Sequence, residues 1–408
     1  MSTKIPVEFV RRIPKPELHV HLDGSLRIPT LIELAKRAKV KLPSMTETGL
    51  REKVFKNKYR DLPDYLAGFA YTVAVMQNAT NIERIAYELA QDHLAEGVRY
   101  VECRFAPQLH VHDGFSMADV VRAACRGFQR AEKEHNQSAA VKRGDDIPFH
   151  FGIIVCALRY FNEHMSWYYS RLFRVMPYAP PKQVFAAASL ELARAAAKLA
   201  QEEGLPIVGF DLAGAEKGFP AGDHKAAFQH AHSNFIRKTI HAGEAYGPES
   251  IFQAITDCYA NRIGHGTWLF AQHMVTDPAI EDKKAYVHYL AEYIASQRIT
   301  IEVNLTSNLQ TLPQMRTISK HPLRQMLDHN LSVAICTDNR LVSNTTVTRE
   351  IMLAVDNLGM TRRELRNSVT AGFKGSFFPG TYNEKRAYVR QMIDLYDRVE
   401  AEMLPAEA

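Results

Sequence analysis

The stretch NIERIAYELAQDHLAEGVRYVECRF (residues 81–105) reads as a helix followed by a strand. Ile82, Ile85, Ala86, Leu89 and Ala90 recur at helical spacing, and a short apolar, β-branched run begins at Val98. Working outward, runs of the second kind stand at 18–22, 98–105, 149–158, 206–212, 235–241, 262–265, 299–304 and 331–337, the sixth being the least marked. Most intervals carry a helical pattern, as with Leu192, Ala195, Ala196 and Leu199. Strands alternating with helices imply parallel βαβ units, and eight of them point to a closed (β/α)8 (TIM) barrel rather than an open sheet.

Two stretches read as additions to that barrel. Residues 132–147 are polar and precede the third strand, on the face away from the chemistry; residues 162–183 are rich in aromatics and follow it, on the catalytic face. The segment after Ser376 reads as a polar helix that completes the outer ring. No repeat, low-complexity tract or linker divides the chain, so residues 1–408 are expected to form a single barrel domain with additional helices and insertions.

Composition narrows the class. A hydrophobic share of 46% supports a large core. The net charge of +5 comes from 50 basic residues interleaved with 45 acidic ones, with no basic stripe, so no nucleic-acid partner is expected. Five scattered cysteines without a CxxC pair suit a reducing compartment. The N-terminus lacks the apolar core of a signal peptide, and no stretch approaches the roughly 20 apolar residues of a membrane span. A cytoplasmic location without membrane contact is the expectation; the oligomeric state stays open.

The informative pattern is where the histidines fall. His19 and His21 end the first strand, and one intervening residue lets both imidazoles point the same way. His241 ends the fifth strand, His265 the sixth, and Asp338 follows the eighth. All lie where barrel strands feed the loops of the catalytic rim. Histidine nitrogens with one carboxylate suit a zinc ion with a position left for water. Each residue also has a plainer reading: His265 as a packed histidine, Asp338 as a helix N-cap, Glu244 as a first-turn carboxylate on a helix dipole. The pair His110 and His112 has the same spacing as His19 and His21 but follows Pro107 in a polar stretch, and reads as a solvated loop that binds no metal.

Several blocks resemble the signatures of adenosine deaminases: Pro16-Glu17-Leu18-His19-Val20-His21-Leu22-Asp23-Gly24-Ser25, Asp211-Leu212-Ala213-Gly214, His241-Ala242-Gly243-Glu244, Arg262-Ile263-Gly264-His265-Gly266 and Thr337-Asp338. Glu96–Glu102 and Leu305-Thr306-Ser307-Asn308 resemble further family segments, and the likeness runs from about Pro14 to Pro379. The resemblance implies one zinc per chain, held by His19, His21, His241 and Asp338. It also implies a catalytic set of Glu244, His265 and Asp338, in which Glu244 protonates N1 of a purine while His265 orients and helps deprotonate the attacking water. Substrate contacts carried over in the same way are His21, Asp23 to the ribose, the Gly214 backbone to purine N3, and Asn339 to N7. Asp211 would support the metal ligands.

The implied reaction is hydrolysis of adenosine or 2′-deoxyadenosine to inosine and ammonia, a step of purine salvage. Two departures stand out. Many family members carry a second aspartate where this chain has Asn339, a position that faces substrate, and an acidic residue where it has Ala215, which does not. The fourth strand offers no lysine to bridge two metals, so one metal is expected. Other 6-aminopurines (aminofutalosine, adenine, a 5′-nucleotide) are the alternative substrates. A catalytically silent nucleoside-binding protein would need a missing ligand or a missing Glu244, and none is missing.

Overall fold

The computed structural model describes residues 5–405 except residue 316. Eight parallel strands follow one another in chain order: β1 Lys15–His21, β2 Val98–Phe105, β3 His150–Leu158, β4 Ile207–Ala213, β5 Arg237–Ala242, β6 Arg262–His265, β7 Thr300–Val303 and β8 Val333–Ile335. They pair in the order β1 to β8, and helices cover the outside, as the sequence implies. The expected strands match in number and order, with ends displaced by a few residues. β8 is only three residues long, although Cys336 N–H still donates to Val303 O at 2.8 Å, and the backbone reaches positive φ at Asp338, 61°.

The barrel closes at its catalytic rim. β8 meets β1 through a bridge between Val20 and Asp338, with His21 N–H donating to Asp338 O and Asp338 N–H to His19 O, each at 2.8 Å. The contact that joins the last strand to the first is thus made by the candidate metal ligands' own backbone.

The barrel strands are buried almost throughout, yet their centre carries charge. Arg104, Arg262, Asp211, Glu102 and Glu302 are all fully enclosed. They form a chain of ion pairs: Arg104 pairs with Asp211 at 2.8 Å and Glu302 at 2.9 Å, and Arg262 pairs with Glu302 at 2.7 Å and with Glu102. Leaving any one of these ions without its partner would strand a buried charge.

Residues 132–147 are more helical than a polar insertion suggests. One helix runs on to Asn136 and a short one spans Ala139–Arg143, both before β3. Residues 162–183 contain the helix Trp167–Val175, N-capped by Ser166. Its Tyr169 is enclosed, stacked on Phe161 with ring centroids 3.8 Å apart, in a small apolar cluster with Phe185 and Ala188. The aromatic insertion is therefore a packed element, with Trp167 at its exposed end. The helix Tyr382–Met403 completes the outer ring. No helix among the described residues is long and apolar enough to cross a membrane.

Candidate metal centre and catalytic rim

The strand ends deliver their histidines to one point. Potential ligand atoms of His19, His241, His265 and Asp338 all lie within 4.8 Å of one another, and all four residues are buried. His21 joins them: its Nε2 is 3.2 Å from His241 Nε2 and 3.4 Å from Asp338 Oδ1. His19 Nε2 stands 3.4 Å from the same oxygen. Gly264 makes room, since a Cβ there would come within 3.0 Å of the His19 ring. Asp338 and His265 hold positive φ values of 61° and 67°, a strained backbone for residues with side chains.

The donor set fits a zinc ion on its own chemistry. His19 Nδ1 sits 2.7 Å from the carboxylate of Glu302, and His241 Nδ1 sits 3.1 Å from that of Asp211. Each carboxylate takes a ring N–H, which fixes the tautomer and turns the Nε2 lone pair into the cluster. His19 Nε2 is buried without a hydrogen-bond partner. His21 Nε2 and His241 Nε2 face each other at 3.2 Å, a spacing that lets both donate lone pairs to one cation. Tetrahedral zinc with ligands at about 2.0–2.1 Å separates its donors by about 3.3 Å, close to the spacings here.

Below the ligands, Arg104 ties the two supporting carboxylates together, and Glu302 also accepts from Thr239 Oγ1 at 2.8 Å. Ser307 Oγ donates to Asp338 Oδ2 at 2.5 Å. Of Arg104, Asp211, Thr239 and Glu302, only Asp211 is a candidate from the sequence. Glu302 has a signal, as the one charge in the short strand β7, whereas Arg104 shares β2 with Arg99 and Glu102.

Glu244 lies at the rim, buried, with Oε2 3.9 Å from His265 Nε2. Burial pushes its carboxyl up to about 8, and the neighbouring carboxylates of Asp338 and Glu216 add to the rise. The loop carrying it is folded around Glu216, which accepts the backbone N–H groups of Gly243, Glu244, Ala245 and Tyr246 at 2.6–3.1 Å, and the Ser250 hydroxyl. Nothing in the sequence pattern singles out Glu216.

Asp23 is buried, its Oδ1 lacks a partner, and burial raises its carboxyl to about 7. Gly214 leaves β4 with φ of 99°, a turn that needs glycine. Asn339 is not a helix cap: its Nδ2 donates to Tyr65 Oη at 2.8 Å, and its Oδ1 rests against Gly24 without a polar partner. One amide hydrogen of Asn339 is left over.

The control pair His110 and His112 is packed rather than solvated, which corrects the sequence expectation. The loop folds back on the segment around Gln77, enclosing His110 completely, while His112 Nε2 bonds the Gln77 carbonyl at 2.9 Å. Neither belongs to a metal-competent cluster among the described residues.

Comparison with known proteins agrees with this geometry. The adenosine deaminase family profile matches residues 14–395. The chain belongs to the adenosine deaminase family. The adenosine deaminase of Mycolicibacterium vanbaalenii is 35% identical over 397 residues, 96% of this chain and 98% of that protein. A probable adenosine deaminase of Dictyostelium discoideum is 32% identical over 97% of this chain, which spans about half of that longer protein (45%). An amidohydrolase from Burkholderia ambifaria, solved with bound zinc, shares the fold with a TM-score of 0.73 at 20% identity, covering 98% of this chain and 96% of its own. The zinc-dependent chemistry of the family and the fit of the cluster agree.

Proposed function

We propose that the whole chain acts as one hydrolase domain that removes the 6-amino group of a purine nucleoside, adenosine or 2′-deoxyadenosine, giving inosine or its deoxy form plus ammonia. The observation that carries this reading is a buried Glu244, protonated near neutral pH, set beside a cluster built for zinc. Aromatic C6 is a poor electrophile, and the amine leaves poorly unless the ring gains a proton. A bound zinc ion acidifies water toward a pKa of about 7, which supplies hydroxide at neutral pH.

The chain's own groups do the rest. His19, His21, His241 and Asp338 hold the metal. Glu244 shares its proton with N1 and accumulates charge only as C6 becomes tetrahedral. His265 orients the attacking water. Gly214 offers its backbone to N3, and the free amide hydrogen of Asn339, a donor at every pH, bonds N7. Asp23, whose Oδ1 lacks a partner, bonds a ribose hydroxyl. A carboxylate there repels a 5′-phosphate, which favours the nucleoside over the nucleotide.

A spectroscopic deamination assay with zinc-loaded protein tests the reading on adenosine, 2′-deoxyadenosine, adenine, aminofutalosine, AMP and N6-methyl-AMP. The nucleosides are expected to give the highest kcat/KM. Preference for a nucleotide would move the assignment within the family, and inertness toward all six would overturn it.

A further inference from the structure

His265 stands among the metal ligands, yet its ring is oriented from the other side. Its Nδ1 lies 3.0 Å from Asn308 Nδ2 and 3.3 Å from Asn304 Nδ2. Nε2, on the opposite side, lies 3.9 Å from Glu244 Oε2, and the His19 and His241 rings lie 5.0 and 5.1 Å away by centroid. Which nitrogen carries the hydrogen decides what His265 can do. A bare Nε2 can bind metal or take a proton, whereas Nε2–H can only donate.

The answer can be read from a backbone amide whose direction is fixed. The Leu323 N–H donates to His321 Nδ1 at 3.1 Å. Nδ1 is thus an acceptor, and burial keeps the ring neutral, its pKa pushed down to about 3. The ring hydrogen is therefore on His321 Nε2, which donates to Asn308 Oδ1 at 3.1 Å. With its oxygen taken on that side, Asn308 turns its NH2 to His265 Nδ1. Asn304 presents its own NH2 there as well, within 3.5 Å of the Glu302 carbonyl. His265 Nδ1 can only accept, so the hydrogen sits on Nε2.

We propose that His321, acting through Asn308, is a positioning residue that fixes His265 as the Nε2–H tautomer, a hydrogen-bond donor to the reacting centre and neither a metal ligand nor a base. The coordination set is then His19, His21, His241 and Asp338, and the fourth imidazole, His265, is kept out of it by a relay reaching the helix Leu323–Asp328. The inference rests on the deaminase reading only for the oxygen that His265 faces. A donor aimed there holds the nucleophile's oxygen through its hydrogen bond and stabilises the charge that develops on it.

The test is the tautomer itself. Protein with 15N-labelled histidine, metal-free and zinc-loaded, is examined by long-range 1H–15N correlation, His265 being assigned by its loss in His265→Asn. Wild type is expected to show Nε2–H. Asn308→Asp accepts from both rings, so His265 should switch to Nδ1–H, with zinc content retained and kcat down about 10²-fold at little-changed KM. His321→Gln keeps an N–H donor toward Asn308 and should keep the Nε2–H tautomer and most of kcat. Should Asn308→Asp fail to fold, wild type and His321→Gln still decide. An Nδ1–H His265 in wild type, or a tautomer indifferent to Asn308→Asp, overturns the proposal. Inertness toward every purine with the tautomer as stated would refute the function and leave the relay standing.

Discussion

A carboxyl group 5% exposed among other carboxylates binds its proton tightly, and Glu244 is such a group. The protonated form is the one the proposed chemistry needs, so kcat/KM should fall as pH rises through the Glu244 pKa. A cation in the cluster favours ionisation, which places that alkaline limb at or below about 8. Glu244→Gln keeps shape and hydrogen bonding but has no acid proton to give. Turnover should drop by about 10²–10⁴-fold and the limb should vanish, with zinc content unchanged. A variant within a few fold of wild type would remove Glu244 from the mechanism.

The loop after β5 is an element in its own right, because one side chain organises it. Glu216 gathers four consecutive N–H groups and a hydroxyl, more than any neutral replacement can accept. In Glu216→Gln one oxygen becomes an amide NH2 that faces donors, so the loop should lose its set and kcat should fall more than tenfold. The charge is lost too. With one fewer like charge nearby, Glu244 ionises more readily, and the alkaline limb of the residual activity should move to lower pH. A limb that stays or rises contradicts this account of the Glu244 environment.

Comparing Glu216 with His19 shows what the sequence could reveal. His19 and His21 sit two apart on a strand, and that spacing is itself the geometry. The eight strands are legible for the same reason: each is a local run whose burial follows from its own residues. Glu216 acts across a loop on a segment 27–34 residues away, and Glu302 reaches His19 across 283, distances at which no periodicity operates. The pair His110 and His112 fails in the opposite direction. Its spacing matches, but it stands beyond the turn Pro107–Leu109 and packs against Gln77. Spacing alone does not bring a pair to the metal cluster.

At the scale of the whole molecule, the candidate ligands come from β1, β5 and the end of β8, while β8 meets β1 through a single bridge. A bound ion therefore ties opposite walls of the barrel together at its closing seam. Without it, His19 Nε2 is buried and unpaired, and the Nε2 atoms of His21 and His241 face each other at 3.2 Å. The ion binds the folded chain and no preformed site survives unfolding, so its removal must lower stability. At free zinc 100 to 1,000 times Kd the linkage is worth about 2.7–4.1 kcal/mol. Chelation should lower Tm, zinc should restore it, and metal analysis should find about one ion per chain. His19→Ala should lose the metal and leave a Tm indifferent to chelator. His112→Ala should keep both the metal and the chelator-sensitive shift, because its ring serves the loop at Gln77. A wild-type Tm that does not move on verified removal of the ion would mean that the seam is held by the protein alone; loss of zinc in His112→Ala would place the metal at the other histidine pair.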